Sequence, residues 1–214
     1  MDFRGTWSPR VRLSRGEAFV VSSAMPPQDP QTIQLERERL KALVHYICDR
    51  VPNPNKWGSV KMNKALFYTD REAYVHLGQP VTGETYLKNR MGPVSEHLQE
   101  VVDELVREGR IAVRKEQKVG ANGRPYEHHL YFAIERPDVS AFSGPEVAIV
   151  NEVVDVISHK HTAASISEHS HDLVYDLAEP GEVIPYFTSF SFLLSKPSED
   201  GMDWARASLT ARGA

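Results

Sequence analysis

Residues 59 to 98 read "SVKMNKALFYTDREAYVHLGQPVTGETYLKNRMGPVSEHL". Val60, Leu66, Phe67 and Tyr74 recur at helical spacing, with Lys61, Asn63 and Lys64 set just ahead of the apolar run. Ser59 is the expected N-cap, and the helix is expected to run to about His76 before Gly78 and Pro80 close it. The following "TGETYLKNRMGP", residues 82–93, holds too many turn formers for a helix and is extended in character around Tyr86. Pro93 suits the first turn of another helix, whose apolar stripe is Val94, Leu98, Val101, Val102, Leu105 and Val106 and whose stop is Gly109.

Upstream, Ile33, Leu40, Leu43, Val44, Ile47 and Val51 share one helical face that ends before "PNPNK" at residues 52–56. Downstream, "RIAVRKEQ" (110–117) and "YEHHLYFAI" (126–134) are rich in strand formers, and Asn122-Gly123 lies in their connection, which is a hairpin signal. A helix feeding directly into a hairpin is the outline of a winged-helix-like element. Beyond Pro137, Val147, Ile149, Val150, Val153, Val154, Val156 and Ile157 predict a helix after Pro145, and a short helical turn is expected from Thr162 to His169. Residues 181–194 are apolar without a period and are expected to close the domain by packing across it. The expected fold is mainly α with a small β-hairpin, an α+β arrangement. Residues 1–31 read as a disordered or extended leader, 32–194 as the domain and 195–214 as a polar tail carrying Trp204. The leader's Arg4, Arg10, Arg12 and Arg15 only loosely imitate a targeting peptide, because the apolar run behind them is short. "MPPQDPQ" at 25–31 marks the boundary, and Met25 is an alternative start.

The composition narrows the function classes. A chain of 214 residues with 41% hydrophobic positions can bury one good core. A net charge of -4 gives no overall attraction to phosphate backbones, so nucleic-acid binding would need a local basic patch. The single cysteine, Cys48, excludes an internal disulfide, fits a reducing compartment such as the cytoplasm, and reads as a small core residue. No run reaches the roughly 18 apolar residues that a bilayer span needs, so no membrane partner is expected.

His159, His161, His169 and His171 invite a metal, but residues two apart on a helix face different ways, and neither HExxH nor a paired-cysteine pattern occurs. No metal and no cofactor are expected. Glu96, Glu100, Asp103, Glu104 and Glu108 fit the solvated face of the third helix better than an acid–base pair. GxSxG, P-loop and GxGxxG motifs are absent, and an enzyme is not expected. The hairpin is the basic patch: Arg110, Arg114, Lys115, Lys118 and Arg124 stand against a single Glu116 before Tyr126, a set suited to phosphates or to a protein partner. DNA is therefore an alternative partner, although the helix that would enter the groove is acidic.

The order K-x-N-K-x-L-F-Y-x-D, then G-x-P-V-T-G-E-T-Y, then G-P-V, followed by a helix ending "LVREGRI", resembles the Panacea domain. This is the SocA-like antitoxin family of bacterial and phage toxin–antitoxin systems. The resemblance rests on Lys61, Asn63, Lys64, Leu66, Tyr68, Asp70, Gly83, Glu84, Gly92, Pro93, Val94, Leu105, Gly109 and Ile111. It continues weakly in "ISEHSH" at 166–171, which brings in His171, and in Gly181, Ile184 and Pro185, covering roughly 33–190. Tyr175 stands near a position where many members are expected to carry tryptophan. The resemblance implies a mainly helical domain that binds and neutralises a cognate protein toxin, in some relatives as an adaptor to a Clp-type protease.

Two readings of the motif residues stay open. As a scaffold, Asn63 and Asp70, seven apart on one helical face, would hydrogen-bond the "GETY" or "MGP" turns, Gly83 and Gly92 would allow the turn geometry, and Glu84 would pair with Lys61 or Lys64. As an interface, Lys61, Lys64, Tyr68 and Glu84 would grip the toxin. The hairpin, with Arg114 and Tyr126, is the expected seat of partner specificity.

Overall fold

The computed structural model describes residues 33–120 and 123–192. The expected leader, the alternative start and the tail lie outside the described residues. The architecture is mainly helical with two small antiparallel strand pairs, which is the expected α+β class.

Helix α1 (Arg37–Arg50) buries Leu40, Leu43, Val44 and Ile47 of the predicted stripe together with Cys48, with Val51 buried at its C-cap, while Ile33 precedes the helix. A 3-10 turn (Pro54–Lys56), capped by the Asn53 side chain, leads into α2 (Ser59–Leu77). Gly58 rather than Ser59 stands at the N-cap of α2, and no side chain caps it there. A side chain at Gly58 would strike the His128 ring, so the cap position is set by the ribbon packed behind it. Gly78 closes α2 at φ 79°, a left-handed conformation that suits glycine. Helix α2 runs through the centre of the molecule and buries Met62, Ala65, Leu66, Phe67 and Ala73 against α4, α1 and the C-terminal segment.

Strand β1 (Tyr86–Leu87) pairs with β2 (Val94–Ser95), Tyr86 opposite Ser95 and Leu87 opposite Val94. The expectation that Pro93 and Val94 open the third helix is thereby corrected. The Ser95 N–H is bonded by the Asn63 side chain and its hydroxyl accepts from Leu98 N–H, so helix α3 begins at Leu98 and runs to Arg107. The acidic residues expected on the solvated face are found there, Glu96, Glu100, Asp103 and Glu108 exposed and Glu104 half-buried, and part of that face also meets α1. Arg37 of α1 donates to Glu104 at 2.5 Å and to Glu100 at 3.1 Å, and Lys41 lies 2.6 Å from Glu108. Hydrogen bonds from Arg37 and Lys41 hold the Glu104 and Glu108 carboxyls below the ordinary range.

Helix α3 passes through Gly109 directly into the ribbon β3 (Ile111–Val119) and β4 (Pro125–Ala133), the helix-then-hairpin order expected. Ile111 and Tyr131 root the ribbon in the core. Helix α4 (Gly144–Lys160) starts with a capping box between Ser143 and Glu146, and α5 (Ala163–His169) with one between Thr162 and Ser165. A short helix α6 (Leu173–Leu177), capped by Asp172, was not foreseen; five residues are too few for a periodic signal. The chain then returns along β1, where Ile184 N–H bonds Tyr86 O, and ends in a 3-10 segment (Tyr186–Phe192) against α2, the closing role expected for this region. No helix among the described residues is long and apolar enough to cross a membrane.

Candidate functional site

The family-like residues form one buried block around α2. Asn63 joins its helix to β2: its Oδ1 accepts from Ser95 N–H at 2.8 Å and its Nδ2 donates to Ser59 O at 2.9 Å. Asp70, fully buried, accepts from three donors: Thr82 gives its N–H (2.8 Å) and hydroxyl (2.5 Å) and Tyr86 its phenol (2.8 Å), while the Tyr186 phenol lies 3.2 Å away and shares its one proton with Glu84 O at 2.6 Å. Burial raises the carboxyl of Asp70 and these hydrogen bonds pull it down again, the first effect being the larger. Asp70 therefore fastens two separated parts of the chain, the 82–86 turn and the segment at Tyr186, to α2 through one side chain.

Glu84 is also fully buried, but its expected pairing with Lys61 or Lys64 is not made. Its Oε1 takes the Thr85 N–H at 2.6 Å and lies 3.0 Å from His97 Nδ1, while Oε2 has no hydrogen-bond partner among the described residues. Lys61 turns the other way, donating to Ile157 O of α4 at 3.1 Å with its ammonium 5.6 Å from the Trp57 ring. Lys64, 1% exposed, donates to Pro93 O at 2.7 Å, and burial pushes its amine down to about 7. Above that amine sits Gly92 at φ 87°, where an added Cβ would lie 2.7 Å from Lys64 Nζ and strike the Ser170 hydroxyl. Gly83, at φ 67°, packs so close to Gln34 O that a side chain would clash with backbone. Both glycines thus serve close backbone approach as well as turn geometry.

Tyr68 places its ring 5.4 Å from Phe67 and 6.1 Å from His169; its hydroxyl is buried without a hydrogen-bond partner among the described residues, and burial raises its pKa. None of Lys61, Lys64, Tyr68 and Glu84 offers its polar group at the surface, a placement that fits the scaffold reading rather than a gripping surface. His171 stands apart from the block: it is exposed and stacked 4.2 Å from Tyr175, whose phenol donates to Asn89 O at 2.7 Å.

The other histidines of this region do not converge. His161 and His169 stack at 5.6 Å, burial lowering the pKa of both, and His159 Nδ1 lies 2.8 Å from Asp155 O. Among the described residues no group of three or more His, Cys, Asp or Glu is placed to hold a metal. Cys48 is buried, and its thiol is pushed up to about 12 by desolvation.

The ribbon carries the basic residues, but its charges are more evenly matched than a count along β3 suggests. Arg110 lies 3.2 Å from Glu108, Arg114 2.9 Å from Glu116, Lys118 3.5 Å from Glu116 and Lys115 3.0 Å from Glu127, which β4 brings across the ladder. Arg114 also donates to Asn55 at 2.5 Å and covers the Phe132 ring. Arg124 and Tyr126 are exposed near the tip, Tyr126 opposite Lys118 with its ring edge-on to His128.

Sequence reasoning missed Thr82, Tyr186 and Arg71. Arg71, 3% exposed, links α2 to Asp172 at 3.0 Å and to Ser189 at 2.9 Å. Thr82 and Tyr86 bracket the "GETY" turn, and their nearness to Asp70 was open to inference; Tyr186 lies more than a hundred residues from Asp70 and gave no local signal.

Comparison with known proteins agrees with this geometry. No curated protein and no solved structure matches the chain. The family model described as "Antitoxin SocA-like, Panacea domain" matches residues 62–174, from within α2 through the ribbon to α6. That span is more than half of the chain and includes the hairpin and the buried block apart from Lys61 and Tyr186, so the chain belongs to the SocA-like antitoxin family that carries the Panacea domain.

Proposed function

We propose that the protein is an antitoxin that binds and neutralises a cognate protein toxin, encoded by a neighbouring gene, through direct protein–protein contact. The observation that carries the reading is family membership combined with the inward placement of the motif: Lys61, Lys64, Asp70 and Glu84 are each at most 5% exposed and bond other parts of the same chain. The motif then builds a rigid body, and recognition falls to exposed surface, of which the ribbon with Arg114 and Tyr126 is the best candidate. In this reading the protein carries out no reaction of its own and needs no cofactor. Delivery of the bound toxin to a Clp-type protease extends the same proposal and is read from the toxin's half-life in hosts with and without the protease.

The DNA-binding alternative lacks a supporting contact. The helix that would have to enter the groove carries Glu100, Asp103, Glu104 and Glu108, carboxylates that a duplex would repel. The deciding experiment expresses the adjacent gene in a bacterial host, alone and together with this protein. Toxicity that is rescued by co-expression, with the two proteins co-purifying, supports the proposal. A harmless neighbour, or one that is not rescued, overturns it.

A further inference from the structure

The ribbon has an outer edge whose hydrogen-bonding groups can be assigned residue by residue. Ile134 N–H donates to Arg110 O and Gly120 N–H to Arg124 O, both at 2.9 Å. Between them the register runs without a bulge, from Ile111 opposite Ala133 to Val119 opposite Pro125. In an antiparallel pair, directly opposed residues alternate between mutually bonded and unbonded. The even-numbered residues of β3 therefore bond β4, and the odd-numbered ones turn their N–H and C=O away from it. Pro125 obeys the same parity: it has no N–H to donate and stands opposite Val119, an unbonded position. Lys115, Gln117 and Val119, all exposed, thus present main-chain donors and acceptors on the outer side of β3, where no backbone partner is found among the described residues. The outer side of β4 differs, because Gly58 bridges to Leu130 there.

We infer that residues 115–119 are a docking strand to which an extended, acidic segment of the protein partner adds as a third strand of the ribbon. The inference rests on the antitoxin reading and names the partner's chemistry. Strand addition supplies affinity through main-chain bonds and selectivity through alternate side chains. Charge selects the occupant: residues 110–134 hold five Lys and Arg against two Glu, in a chain whose net charge is -4. Arg114 and Lys118 lie on one face of β3 and Lys115 on the other, so carboxylates at successive positions of the added strand meet cations on both faces. A second copy of this chain is a poorer fit, since antiparallel self-pairing centred on Lys115 opposes that lysine to its own copy. Edge lysines discourage indiscriminate pairing, and acidic residues in the incoming strand convert that repulsion into selection. The present pairs Lys115–Glu127 and Lys118–Glu116 are exposed, and such pairs hold weakly enough to exchange partners.

Hydrogen exchange on the full chain, alone and saturated with the protein encoded by the adjacent gene, tests this amide by amide. The Lys115, Gln117 and Val119 amides should exchange readily in the isolated protein and slow by about tenfold or more in the complex, while those of Arg114, Glu116 and Lys118 are slow in both states. Lys115→Pro and Gln117→Pro each delete an outward N–H and spare the β3–β4 ladder, so each should weaken binding by about tenfold at an unchanged melting temperature. A complex in which the three amides stay fast overturns the inference and leaves the antitoxin reading standing. No complex at all overturns both. Slow exchange of these amides already in the isolated protein, through a second copy or another part of the chain, overturns the choice of occupant.

Discussion

Raising the pH from about 7 to about 9 should stabilise this fold, because Lys64 releases its proton earlier in the folded than in the unfolded chain. The ammonium is enclosed between α2, Gly92 and Ser170, with Pro93 O as its hydrogen-bond acceptor, and desolvation pushes its pKa from the ordinary 10.5 to about 7. Below about 7 both states carry the proton and the group adds no pH dependence. Above it the folded state loses the proton while the unfolded state keeps it until near 10.5, so the unfolded state binds more protons and stability rises with pH. With a limiting slope of ~1.4 kcal/mol per pH unit and half-titration at the start of the window, the gain is about 2 kcal/mol. For a chain of this size that is a rise of roughly 4–8 °C in melting temperature. Glu72, raised to about 7 by burial, lowers stability as pH rises toward 7 and acts below the window. Cys48 and Tyr131, both raised to about 12, oppose the gain only as the unfolded thiol and phenol ionise at the alkaline end. Lys64→Met keeps the side-chain length, has nothing to titrate, and isolates the effect by difference. Urea unfolding followed by circular dichroism at three pH values, for both proteins, is the assay. A wild-type profile parallel to that of Lys64→Met refutes the assignment of a depressed lysine.

Asp70→Ala leaves Thr82 N–H and the Thr82 and Tyr86 hydroxyls without their common acceptor in a sealed site, while Tyr186 keeps Glu84 O, and should cost about 4 kcal/mol, read as the shift of the urea midpoint. Asn63→Ala removes the bonds to Ser95 N–H and Ser59 O; an expected loss of about 1–2 kcal/mol shows in the thermal melt, and an unchanged melt ends the scaffold assignment. Gly92→Ala forces a Cβ against Ser170 and Lys64 at a left-handed φ and should lower stability by about 2 kcal/mol, whereas Gly181→Ala, with an equally left-handed φ but open space, should cost about half as much. Tyr126→Ala and Arg114→Ala should weaken toxin capture in a titration by about tenfold each while the melt stays within about 0.5 kcal/mol of wild type.

Much of this was legible along the chain. The apolar stripe of α2, its stop at Gly78, the two-stranded ribbon after Gly109 and the apolar run of α4 are local matters, decided by residues a few positions apart, and the sequence by itself determined them together with the family motif from Lys61 to Pro93. Other features needed the chain to fold back on itself. Val94 and Ser95 became a strand instead of a helix start because Asn63 on α2 and the strand β1 offered them partners from outside any local helical turn. Part of the solvated acidic face of α3 also became a cross-link because α1 lies beside it, and Glu84 found His97 in place of the lysines. Burial turned the motif's charged residues from a candidate gripping surface into internal fastenings. A charged side chain looks the same in sequence whether it faces water or a carbonyl across the core, and only the tertiary structure, by removing the water, decided which it is.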